Sequence, residues 1–223
     1  MTCDKNPEKI TKMFNEISGY YDKMNNLISL GTHYLIKKIA LKNLKIDKNS
    51  YVLDLCCGTG DFSKIFGQIA PEAKVIGLDN SIKMLKLAKI KNPKQAFVQG
   101  DCKNLPFGEN EFDYITIGFG LRNIEDRKKA LSEIYRTLKT SGKFLHLDFG
   151  RHNFGSKIFD LLVILTIKFL KLNSENYLYL LKSKNEYPEP EELIEEFKTQ
   201  GFKLSKRQDF LFGTISYQIM EKI

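Results

Sequence analysis

The sequence predicts an α/β fold in which a seven-stranded, mostly parallel sheet carries helices on both faces. Short apolar runs such as Tyr51–Leu55 and Lys74–Leu78 are bounded by small or acidic residues, which is typical of buried strands. Amphipathic segments separate these runs, as the connections between parallel strands require. The 223 residues are enough for one α/β domain with a full core.

We expect a single domain over residues 1–223 with three regions. Residues 1–45 are predicted to form a helical lid and substrate region. Residues 46–150 are predicted to form a cofactor-binding core. Residues 151–223 are predicted to supply a substrate-covering helix and edge strands. We find no internal repeat, low-complexity tract or linker that would favour a division.

The charge and cysteine content restrict the class of protein. The net charge is +8, but the lysines are scattered, which favours a solvated surface first, an anionic membrane surface second and nucleic acid third. The four cysteines lack the spacing of a zinc site, so we predict no metal and a reducing, cytoplasmic location. The N-terminus lacks the apolar core of a signal peptide.

The N-terminal region begins with a predicted helix over residues 7–18, whose apolar residues recur at helical spacing. Residues 20–33 mix aromatic, acidic, amide and histidine side chains without a clean period. This mixture favours a lid or a substrate-facing loop. Residues 33–44 return to a helical pattern.

A strand, a glycine turn and a helix follow at residues 51–69. Gly58 and Gly60 would let a ligand approach the backbone closely. A dinucleotide fingerprint would need glycine at Ser63, and there is no Gly-Lys-Ser/Thr of a phosphate-binding loop. Asp79 closes the next strand, where a carboxylate suits a ribose diol. A tight strand–helix turn without a ligand is the alternative interpretation.

The next strands add further candidates at the same edge. Ser81 is expected to cap a helix through residue 88, and a third strand over 95–99 leads to Asp101 and Cys102. Asp101 would accept from an adenine amino group or would only cap a turn. A fourth strand over 112–117 leads to residues 118–123, where Arg122 and Asn123 are placed to grip a substrate.

The C-terminal half contains a predicted helix from Asp126 through residue 138, a turn at 140–142 and a fifth strand over 143–149. His146 in that strand is expected to pack in the core. The apolar stretch 158–170 is too short to span a bilayer, so we expect a buried or interfacial helix. A helix over 190–198, ended by Gly201, and two edge strands over 202–207 and 214–221 complete the chain.

The turn at residues 52–61, with Asp79, resembles motif I of the S-adenosylmethionine-dependent methyltransferases. The residues Tyr21-Asp22-x-Met24-Asn25-x-x-x-Ser29-x-Gly31-x-His33, and the stretch from Gly118 to Asn123, resemble the menaquinone/ubiquinone C-methyltransferase family. The likeness extends from about Phe14 to Phe202. The chain departs from the family pattern at Cys56, usually glycine, and at Ile36, usually tryptophan.

The resemblance implies a Rossmann-like class I methyltransferase fold and S-adenosylmethionine as the cofactor. The implied cofactor-binding residues are Gly58, Thr59, Gly60, Asp79, Asp101, Cys102 and Gly118. The implied catalytic residues are Arg122, Asn123, His33, Asp22 and Tyr21. The implied reaction is methyl transfer to a ring carbon of demethylmenaquinol, a polyprenyl quinol. His33, Asp22 and Asp148 are the candidate bases, and Arg122 would stabilise the phenolate.

Several alternatives stay open at this stage. One is C-methylation of a methoxy-polyprenyl-benzoquinol in ubiquinone biosynthesis. Others are a methyltransferase acting on another small molecule or RNA, or a binding protein without activity. Nucleic acid is disfavoured because the fourth strand leads into Ile117-Gly118-Phe119-Gly120, without a Pro-Pro-aromatic motif. The apolar stretch 158–170, with Leu27, Ile28 and Leu30, would reach the inner face of an anionic membrane or pack as core. A homodimer is also an expectation.

Overall fold

The computed structural model describes residues 3–170 and 174–223. The helices are α1 (Pro7–Ile17), α2 (Tyr21–Ser29), α3 (Thr32–Leu44), α4 (Asp61–Ile69), α5 (Ile82–Lys91), α6 (Arg127–Thr137), α7 (Phe154–Leu170), α8 (Ser174–Asn185) and α9 (Pro190–Thr199). The strands are β1 (Tyr51–Leu55), β2 (Lys74–Asp79), β3 (Ala96–Gln99), β4 (Phe112–Gly118), β5 (Leu138–Phe149), β6 (Phe202–Phe210) and β7 (Ile215–Lys222). Short 3₁₀ turns lie at Leu121–Asn123 and Leu211–Gly213.

The described residues form one seven-stranded sheet in the order β3-β2-β1-β4-β5-β7-β6. The first five strands of this order are parallel, whereas β7 runs antiparallel to both β5 and β6. The predicted fold class is confirmed. The strand order reverses between β1 and β4, so a crevice opens outside their carboxyl ends, where sheets of this kind bind ligands.

Helices cover both faces because successive strand side chains point to opposite sides. Leu53 and Leu55 of β1 pack in a cluster that includes buried residues of α6 and α9. Val52, the residue before Leu53, packs on the other face with residues of α3 and α4. His146 is buried as predicted, with Nδ1 at 2.6 Å from Gln218 Oε1 and Nε2 at 3.0 Å from the Tyr187 hydroxyl.

Two local predictions differ from the structure. Residues 21–29 form helix α2 and not a loop, so the loop interpretation of that stretch was wrong. The helical period is obscured because Met24 is buried against α7 and α8 while the adjacent polar residue Asn25 faces a cavity. The turn expected at residues 140–142 lies within β5, where Ser141 has a φ of 61°.

Helix α7 is neither fully core nor fully exposed. Val163 and Ile167 are buried, whereas Leu161, Leu165 and Phe169 are exposed. The core interpretation therefore describes one face of this helix, and the opposite face is exposed. In the part of the chain that the structure describes, every helix is too short or too polar to cross a membrane. Helix α8 was not predicted.

Candidate functional site

Two adjoining cavities open at the carboxyl ends of the central strands. The first, which we term the strand-end cavity, lies between α1 and the ends of β1 to β4, and Asp79 and Asp101 line it. The second, the helix-roofed cavity, lies under α2, α7 and α8, and His33 and Arg122 line it. The two cavities share Tyr21, Cys56, Gly58, Gly118 and Phe119. Two ligands bound in them would therefore be in reach of each other.

Asp79 at the end of β2 is the central acid of the strand-end cavity. Its two oxygens accept hydrogen bonds from the backbone N–H groups of Gly58, at 2.9 Å, and Ser81, at 2.8 Å. Burial raises the pKa of this carboxyl, and the backbone hydrogen bonds oppose the rise. Each carboxylate oxygen has further acceptor capacity, so the group can also accept from ligand hydroxyls.

Gly58 provides an open cradle beside this acid. Its φ is +54°, and a Cβ built there would meet no atom within 4 Å. The backbone consequently faces free space that a side chain would occupy. This opening fits the close approach of a nucleoside-like ligand.

The other wall of the strand-end cavity combines polar and apolar groups. Asp101 lines the cavity with Cys102 and also accepts from the Lys103 N–H at 2.9 Å, so the turn-cap interpretation describes one of its oxygens. Helix α1 covers the opening, and Asn15 accepts from the Ser81 hydroxyl at 2.7 Å. Such a mixture suits an adenosine, which is apolar on its ring faces and polar at its edges.

Thr59 and Gly60 do not line the strand-end cavity. Thr59 lines the helix-roofed cavity, where its hydroxyl lies 2.5 Å from Asp22 and 2.9 Å from Lys91 Nζ. Gly60 lines neither cavity. Its φ is +81°, and a Cβ there would lie 2.7 Å from Asn92 Nδ2, so glycine lets helix α5 pack closely.

The polar end of the helix-roofed cavity contains His33, Lys37 and Asp61. Lys37 Nζ lies 2.8 Å from Asp61 Oδ2, and His33 Nε2 lies 3.8 Å from the same oxygen. Burial lowers the pKa of His33, and Lys37 lowers it further. Burial alone would raise the pKa of Asp61, but Lys37, Lys91 and His33 bring it down to about 2. A neutral histidine thus faces an ionised carboxylate.

Sequence reasoning missed Lys37 and Asp61 as site residues. Lys37 lies four residues after His33, so both occupy one face of α3, which is a signal that the sequence does contain. Asp61 closes the glycine turn and starts α4. Nothing in the sequence indicates that these two helix starts meet.

Asp22 is outside the lining of both cavities. Its carboxylate is ion-paired with Lys91 and accepts from Thr59, and these contacts connect α2 to α5 and to the glycine turn. The carboxylate is therefore engaged by a cation. Tyr21, next to it, lines both cavities.

Arg122 and Asn123 face different cavities although they are adjacent in the chain. Arg122 lines the helix-roofed cavity, and its Nη1 lies 2.8 Å from Asp148 Oδ1 and 2.6 Å from the Phe119 carbonyl oxygen. Asp148 is fully buried and lines neither cavity. Asn123 lines the strand-end cavity and accepts from the Tyr179 hydroxyl at 3.5 Å.

Apolar side chains form the roof of the second cavity. Phe159 and Val163 come from α7, Leu180 and Leu181 from α8, and Ile28 from α2. A flat, apolar ring with a polar edge fits between this roof and the charged groups below it. In the described parts of the chain, no group of three or more metal-binding side chains is placed to hold an ion.

Comparisons with known proteins agree with this geometry. A model of the ubiE/COQ5 methyltransferase family matches residues 2–222. Demethylmenaquinone methyltransferase of Staphylococcus carnosus is 37% identical over 222 residues, which cover 95% of this chain and 92% of the relative.

Solved structures show the same fold at low identity. An S-adenosylmethionine-dependent methyltransferase of Thermotoga maritima has a TM-score of 0.71 at 18% identity, covering 95% of this chain and 99% of its own. Phosphoethanolamine N-methyltransferase 2 of Haemonchus contortus, solved with S-adenosylmethionine, has a TM-score of 0.63 at 18% identity. That match covers 83% of this chain and 52% of the Haemonchus chain.

Proposed function

Because the chain belongs to the ubiE/COQ5 methyltransferase family, we propose that it transfers a methyl group from S-adenosylmethionine to a ring carbon of demethylmenaquinol. The observation that carries this proposal is the helix-roofed cavity, with its apolar roof, its charged end and its opening onto the strand-end cavity. The name of the Staphylococcus carnosus relative favours the naphthoquinol over a methoxybenzoquinol.

S-Adenosylmethionine supplies an electrophilic methyl group when it is bound in the strand-end cavity. We assign Asp79 to the ribose hydroxyls and Asp101 to the adenine amino group, since both carboxylates line that cavity. Gly58 and Gly118, which are shared by both cavities, would lie beside the reacting groups. Thr59 and Gly60 support this site indirectly. The Thr59 hydroxyl donates a hydrogen bond to Asp22 of α2, and the absence of a side chain at Gly60 lets α5 pack closely.

The quinol ring must become electron-rich before it can accept a methyl group, and this requires the loss of a hydroxyl proton. His33 is the base that the cavity favours, because it lines the cavity and burial keeps it neutral. Asp22 is engaged by Lys91 and Asp148 by Arg122, and neither lines the cavity. Arg122 would stabilise the negative charge that forms on the quinol oxygen.

The tail of a polyprenyl quinol lies in a bilayer, so the enzyme must receive its substrate from a membrane surface. The inner face of α7 roofs the cavity, while Leu161, Leu165 and Phe169 of the same helix are exposed. Lys157 and Lys168 flank this apolar face and are exposed to solvent. We assign the outer face of α7 to contact with the anionic inner surface of a membrane.

Methyl transfer from labelled S-adenosylmethionine tests the proposal, with demethylmenaquinol, a methoxy-polyprenyl-benzoquinol and bulk RNA as parallel acceptors. We expect label in the naphthoquinol, with a carbon–methyl bond in the product. Label only in the benzoquinol would assign the protein to the ubiquinone reaction, and label only in RNA would refute a quinol substrate. Sedimentation of the same preparation would test the homodimer.

A further inference from the structure

Ser29 determines which nitrogen of His33 carries the proton. Its Oγ lies 2.6 Å from the Asn25 carbonyl oxygen and 2.7 Å from His33 Nδ1. A carbonyl oxygen can only accept, so the single hydroxyl proton of Ser29 is directed to Asn25. Both contacts are hydrogen bonds only if His33 Nδ1 carries a proton and donates it to Ser29. The lone pair of the neutral ring is then on Nε2.

The group that faces this lone pair is Asp61. Its Oδ2 lies 3.8 Å from Nε2, too far for a direct hydrogen bond but close enough for a strong charge interaction. Lys37 Nζ at 2.8 Å and Lys91 Nζ at 3.5 Å hold the carboxylate in place. Its side chain is only 16% exposed, so water screens this interaction little.

Charges of both signs surround His33. Lys37 and Lys91 oppose a positive ring, whereas Asp61 and Asp22 favour one. Burial and Lys37 together keep the resting histidine neutral and ready to accept a proton. Once the ring is charged, the carboxylate beside Nε2 offsets the cost of a buried cation.

We infer that Asp61 is a positioning residue that stabilises the His33 imidazolium formed when Nε2 takes the quinol hydroxyl proton. The inference rests on the proposed function. In this step the oxygen–hydrogen bond breaks, its electron pair stays on oxygen, and a nitrogen–hydrogen bond forms at Nε2. After methylation the ring carbon releases its own proton to water, which restores the aromatic ring. The imidazolium then returns its proton to the quinol oxygen, and His33 is neutral again.

The pairing is measurable without any substrate. Nitrogen-15 NMR of the ligand-free protein gives the tautomer and pKa of His33. We expect the Nδ1–H tautomer in the wild type and a lower His33 pKa in Asp61→Asn, because a stabilising negative charge is lost. Lys37→Met should raise the His33 pKa, because a repelling cation is lost. An Nε2–H tautomer, or a His33 pKa unmoved by both substitutions, would overturn the inference whatever the substrate is.

Kinetics then test the consequence for the reaction. A positioned general base contributes about 10²–10⁴-fold, so Asp61→Asn should lower kcat by about tenfold or more. The acid limb of the pH–rate profile of Asp61→Asn should move to lower pH, because the His33 pKa is lower in this variant. The Kd for S-adenosylmethionine should stay unchanged. Asp61→Glu should restore part of the rate.

Asp113→Asn is the matched control. Asp113 also has a lysine partner, Lys139 at 2.6 Å, but it lies near the amino end of β4, whereas both cavities lie at the carboxyl end. We expect this variant to keep the wild-type rate and pH profile. A loss of kcat in Asp61→Asn with an unchanged pH profile would mean a structural role and would overturn the inference. If the wild type methylates no quinol, the proposed function fails, while the NMR result still decides the pairing.

Discussion

The two cavities differ in how the chain builds them. In the strand-end cavity, Gly58, Asp79 and Asp101 each lie within a few residues of the end of a parallel strand. In the helix-roofed cavity, the essential contacts join distant residues, such as Lys37 with Asp61 and Arg122 with Asp148. A local change should therefore affect mainly ligand binding in the strand-end cavity, but stability and catalysis together in the helix-roofed cavity.

The largest effect is expected from Arg122→Ala in the helix-roofed cavity. Removal of one member of a buried ion pair should lower the free energy of unfolding by about 3–5 kcal/mol, because Asp148 is left charged and unpaired. We also expect kcat to fall far more than the affinity for S-adenosylmethionine changes. Urea denaturation and steady-state kinetics measure the two effects.

The double variant Arg122→Ala with Asp148→Asn separates stability from catalysis. It should recover much of the lost stability, since the unpaired charge is gone, but it should not recover kcat. If kcat returned with stability, or if the single variant only weakened cofactor binding, Arg122 would have no role in stabilising the phenolate.

A smaller and more local effect is expected from Asp79→Ala in the strand-end cavity. Loss of charged hydrogen bonds to the ribose should weaken S-adenosylmethionine binding by about 1.5–3 kcal/mol. Isothermal titration calorimetry measures the change. Asp126→Ala is the control, because Asp126 also accepts a backbone hydrogen bond, from Lys129, but lines neither cavity. Equal affinity in wild type and Asp79→Ala would contradict the assignment.

Helix α7, which roofs the helix-roofed cavity, should show a different effect on each of its faces. Substitutions on the exposed face should weaken membrane binding, and substitutions on the buried face should lower stability. Leu161→Ser with Leu165→Ser, on the exposed face of α7, should weaken binding to anionic liposomes by about 2 kcal/mol. Activity should fall more for long-tailed than for short-tailed quinols, and binding should weaken as salt rises. Val163→Ser, on the buried face, should instead lower stability. If the outer-face variant lost the same activity on long-tailed and short-tailed quinols and also unfolded more easily, the outer face of α7 would belong to the core.

The last comparison concerns pH and contrasts two aspartates of one stretch. Asp54 in β1 is buried, and burial raises its pKa from 3.8 to about 7, although a hydrogen bond from Thr116 and the charge of Lys37 oppose the rise. Asp61 has the opposite shift because lysines face it. The folded state holds the Asp54 proton between about pH 4 and 7, where the unfolded chain has released it. Stability from this group therefore decreases as pH rises through that window.

Asp54→Asn should remove this pH dependence. The stability difference between variant and wild type should grow in favour of the variant by at most about 1.4 kcal/mol per pH unit between pH 4 and 7. It should then level off above pH 7. Urea midpoints at several pH values provide the comparison. Parallel stability curves for the two proteins would show that Asp54 is already ionised when folded.

The sequence by itself determined the sheet and the alternation of strands and helices along the chain. It also determined which polar side chains and glycines lie at the carboxyl ends of the strands. These features could be predicted because parallel strands are local apolar runs whose carboxyl ends meet at one edge. Asp79, Asp101 and Gly58 follow from that rule, since each lies at or just after a strand. The family signature also predicted Tyr21, His33 and Arg122 as site residues, and all three line the helix-roofed cavity.

Only the tertiary structure decided which of these side chains meet. Helix α2 has no clear period because its faces contact two unlike surroundings, and α8 became recognisable only as part of the roof. The sequence could not show that Lys91 engages Asp22, or that Lys37 and Asp61 flank His33. These contacts depend on how helices distant in the chain pack on the sheet, and no local spacing records that packing.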